Sequence, residues 1–317
     1  MDPFVFLIGC ARSGTTLLQR IVDAHPQIAI TSELHWITDR LKKPGCFLAH
    51  DGRITCELAV ELLGHKRFRQ IGFSPQEFVE LLDHGQPVPH LSFLNGLFGL
   101  YARKKGKPLV GNKTPAYVQH VAGMHVLWPR ARFVHLIRDG RDVWLSVQDW
   151  NHAERAAGRY VTWAEDPVVT TALWWKRKAG LGRQQGRALG PGLYYEIRYE
   201  TLVTHPAAES TRLCAFLGVP YDGAMLRFHE GRTRDDPGLD AKDSWRPITR
   251  GLRDWRSQMP APDVERFEAA AGDFLDELGY PRAYSRPSAE VLRHVNRIRE
   301  SFTRDLQARH QSLPDSW

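Results

Sequence analysis

Short apolar runs alternate with stretches of helical periodicity along most of the chain. The apolar runs predict buried strands at residues 4–8, 28–30, 109–111, 132–137 and 193–199. The periodic stretches predict helices at residues 15–24, 90–105, 117–127, 142–150, 167–185 and 207–217. Strands joined by helices of this length form a parallel sheet with right-handed crossovers. The pattern therefore predicts an α/β fold of three layers, in which helices flank a central parallel sheet.

Two local signals add to this outline. Ser74, Pro75 and Glu77 have the arrangement of an N-cap, a first helical residue and the return partner of a capping box, so we expect a helix to begin there. Near the carboxyl end, one apolar helix face is formed by Val291, Val295, Ile298, Phe302 and Leu306. That face packs either on the same domain or on another subunit, and the second case would make a homodimer.

We divide the chain into one domain at residues 1–285 and a helical extension at residues 286–317. The sequence contains neither internal repeats nor a low-complexity linker. Residues 235–257 are rich in Gly, Pro, Arg and Trp, which predicts a long ordered loop or a lid.

Composition and charge narrow the class of protein. The chain has 42% hydrophobic and 25% charged residues, which is ordinary for a soluble globular protein. It contains no apolar run near the ~20 residues that span a bilayer, so no membrane contact is expected. The start of the chain does not resemble a signal peptide, and four cysteines are too few for a disulfide scaffold, so we expect a cytoplasmic protein. The net charge of +7 favours anionic ligands, but the arginines are dispersed, and nucleic acid is not an expected partner.

The loop after the first strand carries the strongest chemical signal. Its sequence, Gly9-Cys10-Ala11-Arg12-Ser13-Gly14-Thr15-Thr16, has the spacing of a Walker A loop between a strand and a helix. Backbone amides and the positive end of the helix dipole converge there on one anion. Thr15 stands where a nucleoside-triphosphate enzyme needs lysine, and Arg12 supplies the cation instead. We therefore expect a nucleotide with a single 5′-phosphate and a group attached to it.

A second strand–loop–helix unit lies in the middle of the chain. The strand at residues 132–137 leads to Arg138, and the next helix carries Ser146. Ligands of open parallel sheets bind beyond the carboxyl ends of the strands, so these residues would share an edge with the first loop. Two separate anion sites on one edge suit a nucleotide with 5′- and 3′-phosphates. The alternative is a surface ion pair of Arg138 with Asp139 or Asp142.

Two further residues follow predicted strands. Lys113 comes just after the third strand and Glu33 just after the second, so both can face the same cleft. Glu33 could act as a general base, although burial would then have to raise its pKa. The alternatives are a solvated lysine and an acidic residue at a helix start.

Other candidate groups give weaker signals. Cys46, His50 and Cys56 do not have the spacing of a zinc site, and we expect no metal. The ten tryptophans are typical of core or cleft walls, and Trp36 and Trp150 lie next to the motifs, where they could line an aromatic acceptor pocket.

Together these segments resemble the sulfotransferases that use 3′-phosphoadenosine 5′-phosphosulfate (PAPS). The resemblance lies mainly in GCARSGTTLL near the start and FVHLIRDGRDVWLS in the middle. The segments DAHPQIAITSE, GNKTP and YYEIRYETLVTHP resemble the tyrosylprotein-sulfotransferase branch and its soluble bacterial relatives. The family resemblance implies a P-loop-like fold and no metal cofactor.

The resemblance also implies roles for individual residues. The 5′-phosphosulfate would be held by Arg12, Ser13, Gly14, Thr15 and Thr16. The 3′-phosphate would be held by Arg138 and Ser146, with Arg250 in the closing basic loop and Tyr199 on the adenine side. Lys113 would reach the bridging oxygen, and Glu33 would be the catalytic carboxylate.

The predicted reaction is sulfuryl transfer from PAPS to a hydroxyl or amine of an acceptor, with Glu33 as base and Lys113 and Arg12 stabilising the developing charge. The acceptor, a small molecule or a peptide, is not identified by the sequence. Two other functions stay open: a P-loop kinase of a small molecule, and a non-enzymatic binder of nucleotides or nucleic acid.

Overall fold

The computed structural model describes residues 4–35, 37, 53–55, 64, 72–82, 88–230 and 246–311. Its main sheet consists of β1 (Val5–Gly9), β2 (Ile28–Thr31), β3 (Leu109–Lys113), β4 (Arg132–Ile137) and β5 (Tyr194–Arg198). All neighbours pair in parallel, in the order β2-β3-β1-β4-β5. A short antiparallel ladder joins Arg53–Ile54 to Val88–Pro89. The predicted central parallel sheet is therefore confirmed.

The helices flank this sheet. They are α1 (Thr15–Asp23), α2 (Pro75–Val79), α3 (His90–Lys105), α4 (Val121–Leu127), α5 (Gly140–Gln148), α6 (Pro167–Ala188), α7 (Tyr199–Thr204), α8 (Pro206–Leu217), α9 (Trp255–Gln258), α10 (Ala261–Glu277) and α11 (Ala289–Gln311). Short 3₁₀-helices occupy Pro115–Gln119, Ala153–Arg155, Ala157–Arg159, Val161–Ala164 and Gly223–Arg227. No helix among the described residues is long and apolar enough to cross a membrane.

The side chains of β1 alternate between the two faces of the sheet, as the period of a strand requires. Val5 and Leu7 pack with α1, α7 and α8 on one face. Phe4, Phe6 and Ile8 pack with α3 and α4 on the other face. Because β1 is central and buried on both sides, the loop that follows it is held on a rigid support.

Two predictions of helix boundaries made from local sequence had different outcomes. The backbone amide of Ser74 donates to Glu77, and that of Glu77 donates to the Ser74 hydroxyl, so the capping box at the start of α2 is confirmed. The helix predicted at residues 117–127 is instead divided, because His120 leaves the helical region between the 3₁₀-turn Pro115–Gln119 and α4.

The carboxyl-terminal helix α11 packs on the same chain. Val295, Ile298 and Phe302 are buried in one core with residues of α6 and α10. The carboxylate of Asp166, which caps α6 through the Val169 amide, lies 2.8 Å from Nε2 of His294 on α11. The apolar face of α11 is therefore buried within the chain. The division at residue 285 and the homodimer stay predictions.

Candidate active site

The carboxyl ends of the five parallel strands meet at one rim of the sheet, and a cavity of about 660 Å³ opens there. Its walls include the loop after β1, the residues after β2, β4 and β5, the 3₁₀-turn Pro115–Gln119 and part of α6. Residues far apart in sequence are brought together in this way, as expected for a parallel sheet.

The loop between β1 and α1 is shaped to hold an anion. Arg12 and Gly14 both have positive φ, 72° and 91°, which turns the chain tightly before α1. The Ser13 amide donates to the carbonyl of Cys10 over 3.2 Å. No side chain caps α1 at Gly14, so amides of its first turn remain available to a ligand.

The ring of Tyr199, the first residue of α7, packs against Gly14 and leaves no room for a side chain at that position. A Cβ atom at position 14 would lie 2.7 Å from two ring carbons of Tyr199. On the same ring, the Arg138 guanidinium carbon lies 4.3 Å from the ring centroid. The buried tyrosine ring therefore fills the space between the loop and Arg138.

Arg12, Arg138 and Ser146 form one cluster. Nε of Arg12 donates to Oγ of Ser146 over 3.1 Å, and Nη1 of Arg138 lies 3.4 Å from the Arg12 carbonyl oxygen. Burial, and then the charges of Arg138 and Arg253, lower the pKa of Arg12. We expected two separate anion sites, but here the Arg12 side chain reaches the residue predicted for the second. Crowded guanidinium groups of this kind favour a bound anion.

The alternative reading of Arg138, an ion pair with a neighbouring aspartate, is correct for Asp142, but the pair is buried and not at the surface. The Nη2 atom of Arg138 lies 3.8 Å from the Asp142 carboxylate, one turn along α5. Burial, followed by the charges of Asp139 and Glu200, outweighs Arg138 and raises the pKa of Asp142 to about 6. Asp142 also accepts a hydrogen bond from the Trp255 amide over 2.9 Å.

Arg141 fixes the loop between β4 and α5 to the rest of the protein. It is fully buried, donates to both carboxylate oxygens of Asp139 and pairs with Glu268 on α10. Its guanidinium carbon lies 3.6 Å from the centroid of the Trp255 ring. A buried arginine paired with two carboxylates holds this loop, and so positions Arg138 and Ser146.

Lys113 and Glu33 are in direct contact at the rim. Nζ of Lys113, which is buried, lies 2.8 Å from Oε1 of Glu33 and 3.4 Å from Oγ1 of Thr16. The other carboxylate oxygen of Glu33 lies 2.8 Å from Nε2 of His35. Burial raises the pKa of Glu33, but Lys113 and the His35 hydrogen bond outweigh it and hold the pKa well below its usual range. The raised pKa that a general base at this position would need is therefore absent in this state, because the carboxylate is already paired.

Arg250 is not brought to the cavity. Its Nε atom donates to the carbonyl of Val203 over 3.1 Å, which directs the guanidinium towards α7. Arg246 and Arg253 from the same segment line the cavity instead, and Arg253 pairs with Asp149 just after α5. The part of the predicted lid at residues 235–245 lies outside the described residues.

Sequence reasoning missed Lys178 and covered Trp174 only by the general expectation that tryptophans form core or cleft walls. Lys178 and Trp174 line the cavity from α6, four residues apart on one helix face. Trp150, which the sequence analysis named, also lines it, and the Arg12 guanidinium carbon lies 5.1 Å from its ring centroid. The i, i+4 spacing on α6 was the available signal. Trp36 lies outside the described residues.

Cys46, His50 and Cys56, the weak metal candidates, also lie outside the described residues. The described cysteines, Cys10 and Cys214, are buried free thiols. Burial raises the pKa of the Cys10 thiol far above its usual range, which disfavours the thiolate form of this loop cysteine.

A family model described as "Sulfotransferase family" matches residues 3–223, and the chain therefore belongs to this family. The predicted sulfotransferase family is confirmed, and so is the predicted α/β fold with its central parallel sheet. The family match favours sulfuryl transfer over the phosphoryl transfer of the kinase that the loop alone left open.

Two relatives are protein-tyrosine sulfotransferases. The Drosophila melanogaster enzyme is 25% identical over 314 residues, which cover 94% of this chain and 56% of the relative. Protein-tyrosine sulfotransferase 1 of Danio rerio is 24% identical over 314 residues, or 94% of this chain and 79% of the relative. The chain thus spans little more than half of the Drosophila protein.

Two solved structures share the fold. The sulfotransferase domain from the curacin biosynthetic pathway has a TM-score of 0.62 at 19% identity, covering 89% of this chain and 99% of the domain. The sulfotransferase domain of the Synechococcus PCC 7002 olefin synthase has a TM-score of 0.57 at 21% identity, covering 88% of this chain and 95% of the domain.

Proposed function

We propose that the rim cavity binds PAPS and that the enzyme transfers its sulfuryl group to an acceptor hydroxyl. The observation that carries this proposal is the convergence of an anion-binding loop, the half-buried Arg12, the buried Arg138 and a buried tyrosine at one rim. A nucleotide with phosphates at both ends matches that arrangement, and it needs no metal to neutralise a triphosphate.

Polar atoms left without partners support a ligand at this place. Among the residues that line the cavity, Arg138 has a buried Nε atom without a hydrogen-bond partner, and so has the Oγ atom of Ser13, which lies in the loop beside the lining residues Arg12 and Gly14. Buried polar groups in native proteins are nearly always paired, so atoms of this kind at a cavity fit a bound oxyanion. The residues present therefore fit PAPS.

We assign the 5′ end to the loop amides with Ser13, Gly14, Thr15 and Thr16. We assign the 3′-phosphate to Arg138 and Ser146. Arg253 takes the role that the sequence analysis gave to Arg250, which is to contact this phosphate from the closing basic loop. Tyr199 lies beside the nucleoside. Arg12 belongs to the loop at the 5′ end and its guanidinium contacts Ser146 at the 3′ end, so we place it between the two phosphates.

PAPS supplies the sulfuryl group, whose bond to the bridging oxygen breaks as the bond to the acceptor oxygen forms. Glu33 removes the proton from the acceptor hydroxyl. Lys113 donates to the bridging oxygen and, with Arg12, stabilises the charge that develops there. Lys113 must leave Glu33 to do so, and its departure raises the pKa of Glu33, because burial then acts against a weaker opposing charge.

The names of the relatives point to the phenol of a tyrosine side chain as one acceptor. A small-molecule phenol presents the same hydroxyl group. An amine is the remaining chemical class. A cytoplasmic location and a homodimer stay predictions, as does the absence of a nucleic-acid partner.

Calorimetry with adenosine 3′,5′-bisphosphate (PAP) in a chelator tests the donor site. We expect binding without magnesium and, with PAPS and a phenol, transfer of labelled sulfate. Ser146→Ala should weaken PAP binding about tenfold through the loss of a hydrogen bond to a charged group. Ser257→Ala, at an exposed site on α9, should not. Magnesium-dependent ATP binding would instead indicate a kinase, and steeply salt-sensitive binding of polyanions without transfer would indicate a non-enzymatic binder.

A further inference from the structure

The carboxyl group of Asp142 contacts two parts of the donor site at once. Its Oδ2 atom lies 3.8 Å from Nη2 of Arg138, to which we assign the 3′-phosphate. Its Oδ1 atom accepts a hydrogen bond from the backbone amide of Trp255 over 2.9 Å. Asp142 therefore joins the phosphate-binding arginine to the segment of chain that leads into α9.

Trp255 holds the end of that segment against α5. Arg253, two residues earlier, lines the cavity and is assigned to the same phosphate. Trp255 begins α9, and its ring lies against the buried Arg141, as described above. The ring and the amide of Trp255 thus attach the segment to α5, and the contact to the amide is made by Asp142.

Asp142 is buried among charges that would change its ionisation when a phosphate binds. Burial, opposed by Arg138, raises its pKa to about 6. A carboxyl group with this pKa is mostly ionised at pH 7, and one more negative charge nearby raises its pKa further. The titratable and charged side chains that face it are those of Arg138, Asp139, Tyr199 and Glu200, and α9 contributes the uncharged amide of Trp255.

We propose that Asp142 is a positioning residue of the donor site, which aligns Arg138 with the closing segment and takes up a proton when the 3′-phosphate binds. This inference rests on the proposed function and adds a proton to the binding of the donor. The phosphate replaces the carboxylate as the anion beside Arg138, and the proton passes from solvent to Oδ2. The Trp255 amide keeps its hydrogen bond to Oδ1. Donor affinity therefore falls as the pH rises, because ionised Asp142 repels the phosphate.

Calorimetric titration with PAP, in buffers of different ionisation enthalpy, counts the protons that binding takes up. At pH 7 the unaltered enzyme should take up about 0.5 proton more than Asp142→Asn, whose side chain cannot ionise but still accepts from the Trp255 amide. From pH 6 to pH 8 its affinity for PAP should fall roughly fivefold or more relative to that of the variant. The phosphates of PAP also titrate near about pH 6, so the difference between the two proteins reports on Asp142.

Two further variants serve as controls for the carboxyl group. Asp273→Asn, at an exposed residue that pairs with Lys176, should match the unaltered enzyme. Glu200→Gln, at the buried carboxyl group of α7 that accepts from the Asp139 amide, should retain the proton uptake.

Asp142→Ala separates the two roles of the side chain. It removes both the proton site and the acceptor for the Trp255 amide. It should therefore show the reduced proton uptake of Asp142→Asn but bind PAP about tenfold more weakly than that variant, since a buried amide loses its partner. Equal affinity of the two variants would contradict the positioning role.

Equal proton uptake by the unaltered enzyme and Asp142→Asn would overturn the proposal, and so would an uptake that Glu200→Gln removes instead. Either result leaves the proposed function standing, because PAP still binds. A failure of the unaltered enzyme to bind PAP removes the proposed function itself. If Asp142→Ala does not fold, the pH dependence of the unaltered enzyme and of the isosteric Asp142→Asn still decides the matter.

Discussion

Nζ of Lys113 lies 2.8 Å from Oε1 of Glu33, so the residue assigned to the leaving group and the residue assigned to the acceptor proton form an ion pair. In this state the carboxylate is a weak base, because Lys113 and His35 hold its pKa low. If bound PAPS attracts Lys113 away from Glu33, the pKa of Glu33 rises, so the carboxylate becomes a stronger base only when the donor is present. The pair thus links donor occupancy to base strength.

Lys113→Ala should reduce kcat by on the order of 10²-fold or more, because it removes the charge that faces the bridging oxygen. Burial would then raise the pKa of Glu33 with less opposition. The activity of the variant should therefore fall off at a higher pH than that of the unaltered enzyme as the solution is acidified, in a profile of kcat/KM against pH. Lys113→Arg keeps the positive charge and serves as the control. Near-normal turnover of the alanine variant would remove Lys113 from the mechanism.

Glu33→Gln tests the base while it preserves the shape of the side chain. We expect kcat to fall by roughly 10²-fold or more and PAP affinity to stay within a few-fold, since the base faces the acceptor. Steady-state kinetics and calorimetry separate the two effects. Glu77→Gln, on the exposed surface at α2, provides the control. If Glu33→Gln retains most activity, His35 becomes the better candidate for the base.

Arg253→Ala should weaken PAP binding about tenfold or more, as the loss of a charge-assisted hydrogen bond to phosphate implies. Arg256, which is exposed and lies on α9, gives a control in Arg256→Ala. Arg250→Ala measured alongside decides between the two assignments. A larger loss of affinity for that variant would restore Arg250 to the 3′-phosphate and displace Arg253.

Gly14→Ala should lower both stability and PAP affinity, because its Cβ atom would meet the Tyr199 ring at 2.7 Å. Gly190 has a similar φ of 82° but open space around its Cα, so Gly190→Ala isolates the backbone strain, roughly 1–2 kcal/mol. Thermal unfolding should show the larger loss for Gly14→Ala, since overpacking adds about 1–3 kcal/mol. Equal losses would mean that the ring moves aside freely.

Asp142 should make stability depend on pH. Its folded-state pKa of about 6 is above the value of an unfolded aspartate, so its contribution is fully present below about pH 4 and is lost as the pH rises through 6. Asp142→Asn should reduce this loss, which denaturant titrations at pH 4 and pH 7 would measure. Asp149→Asn, at the more exposed neighbour, is the control. A pH slope unchanged by Asp142→Asn would contradict the assignment.

The sequence predicted the sheet because its signals are local. The buried run at Val5–Gly9, the tight loop and the capping box at Ser74 depend on neighbours a few residues away. The rim could also be inferred, since parallel strands end on one side, and this rule brought Lys113 and Glu33 together correctly.

The arrangement of side chains in the candidate site could not be predicted, because it depends on contacts between residues that are far apart in sequence. The Arg12 guanidinium reaches Ser146, 134 residues away, through a side-chain conformation that no periodicity encodes. Arg253 rather than Arg250 lines the cavity because Asp142 and Arg141 fix Trp255 and so set the path of the segment. The lowered pKa of Glu33 likewise follows from a partner 80 residues away.

The two walls of the cavity come from different parts of the chain. Residues at the strand ends form one wall, and residues 150–178 form the other. Substitutions in residues 150–178 can therefore change which acceptor is bound without altering the residues that we assign to the sulfuryl donor. Grafting that stretch from a relative should transplant the preference of the relative onto this scaffold.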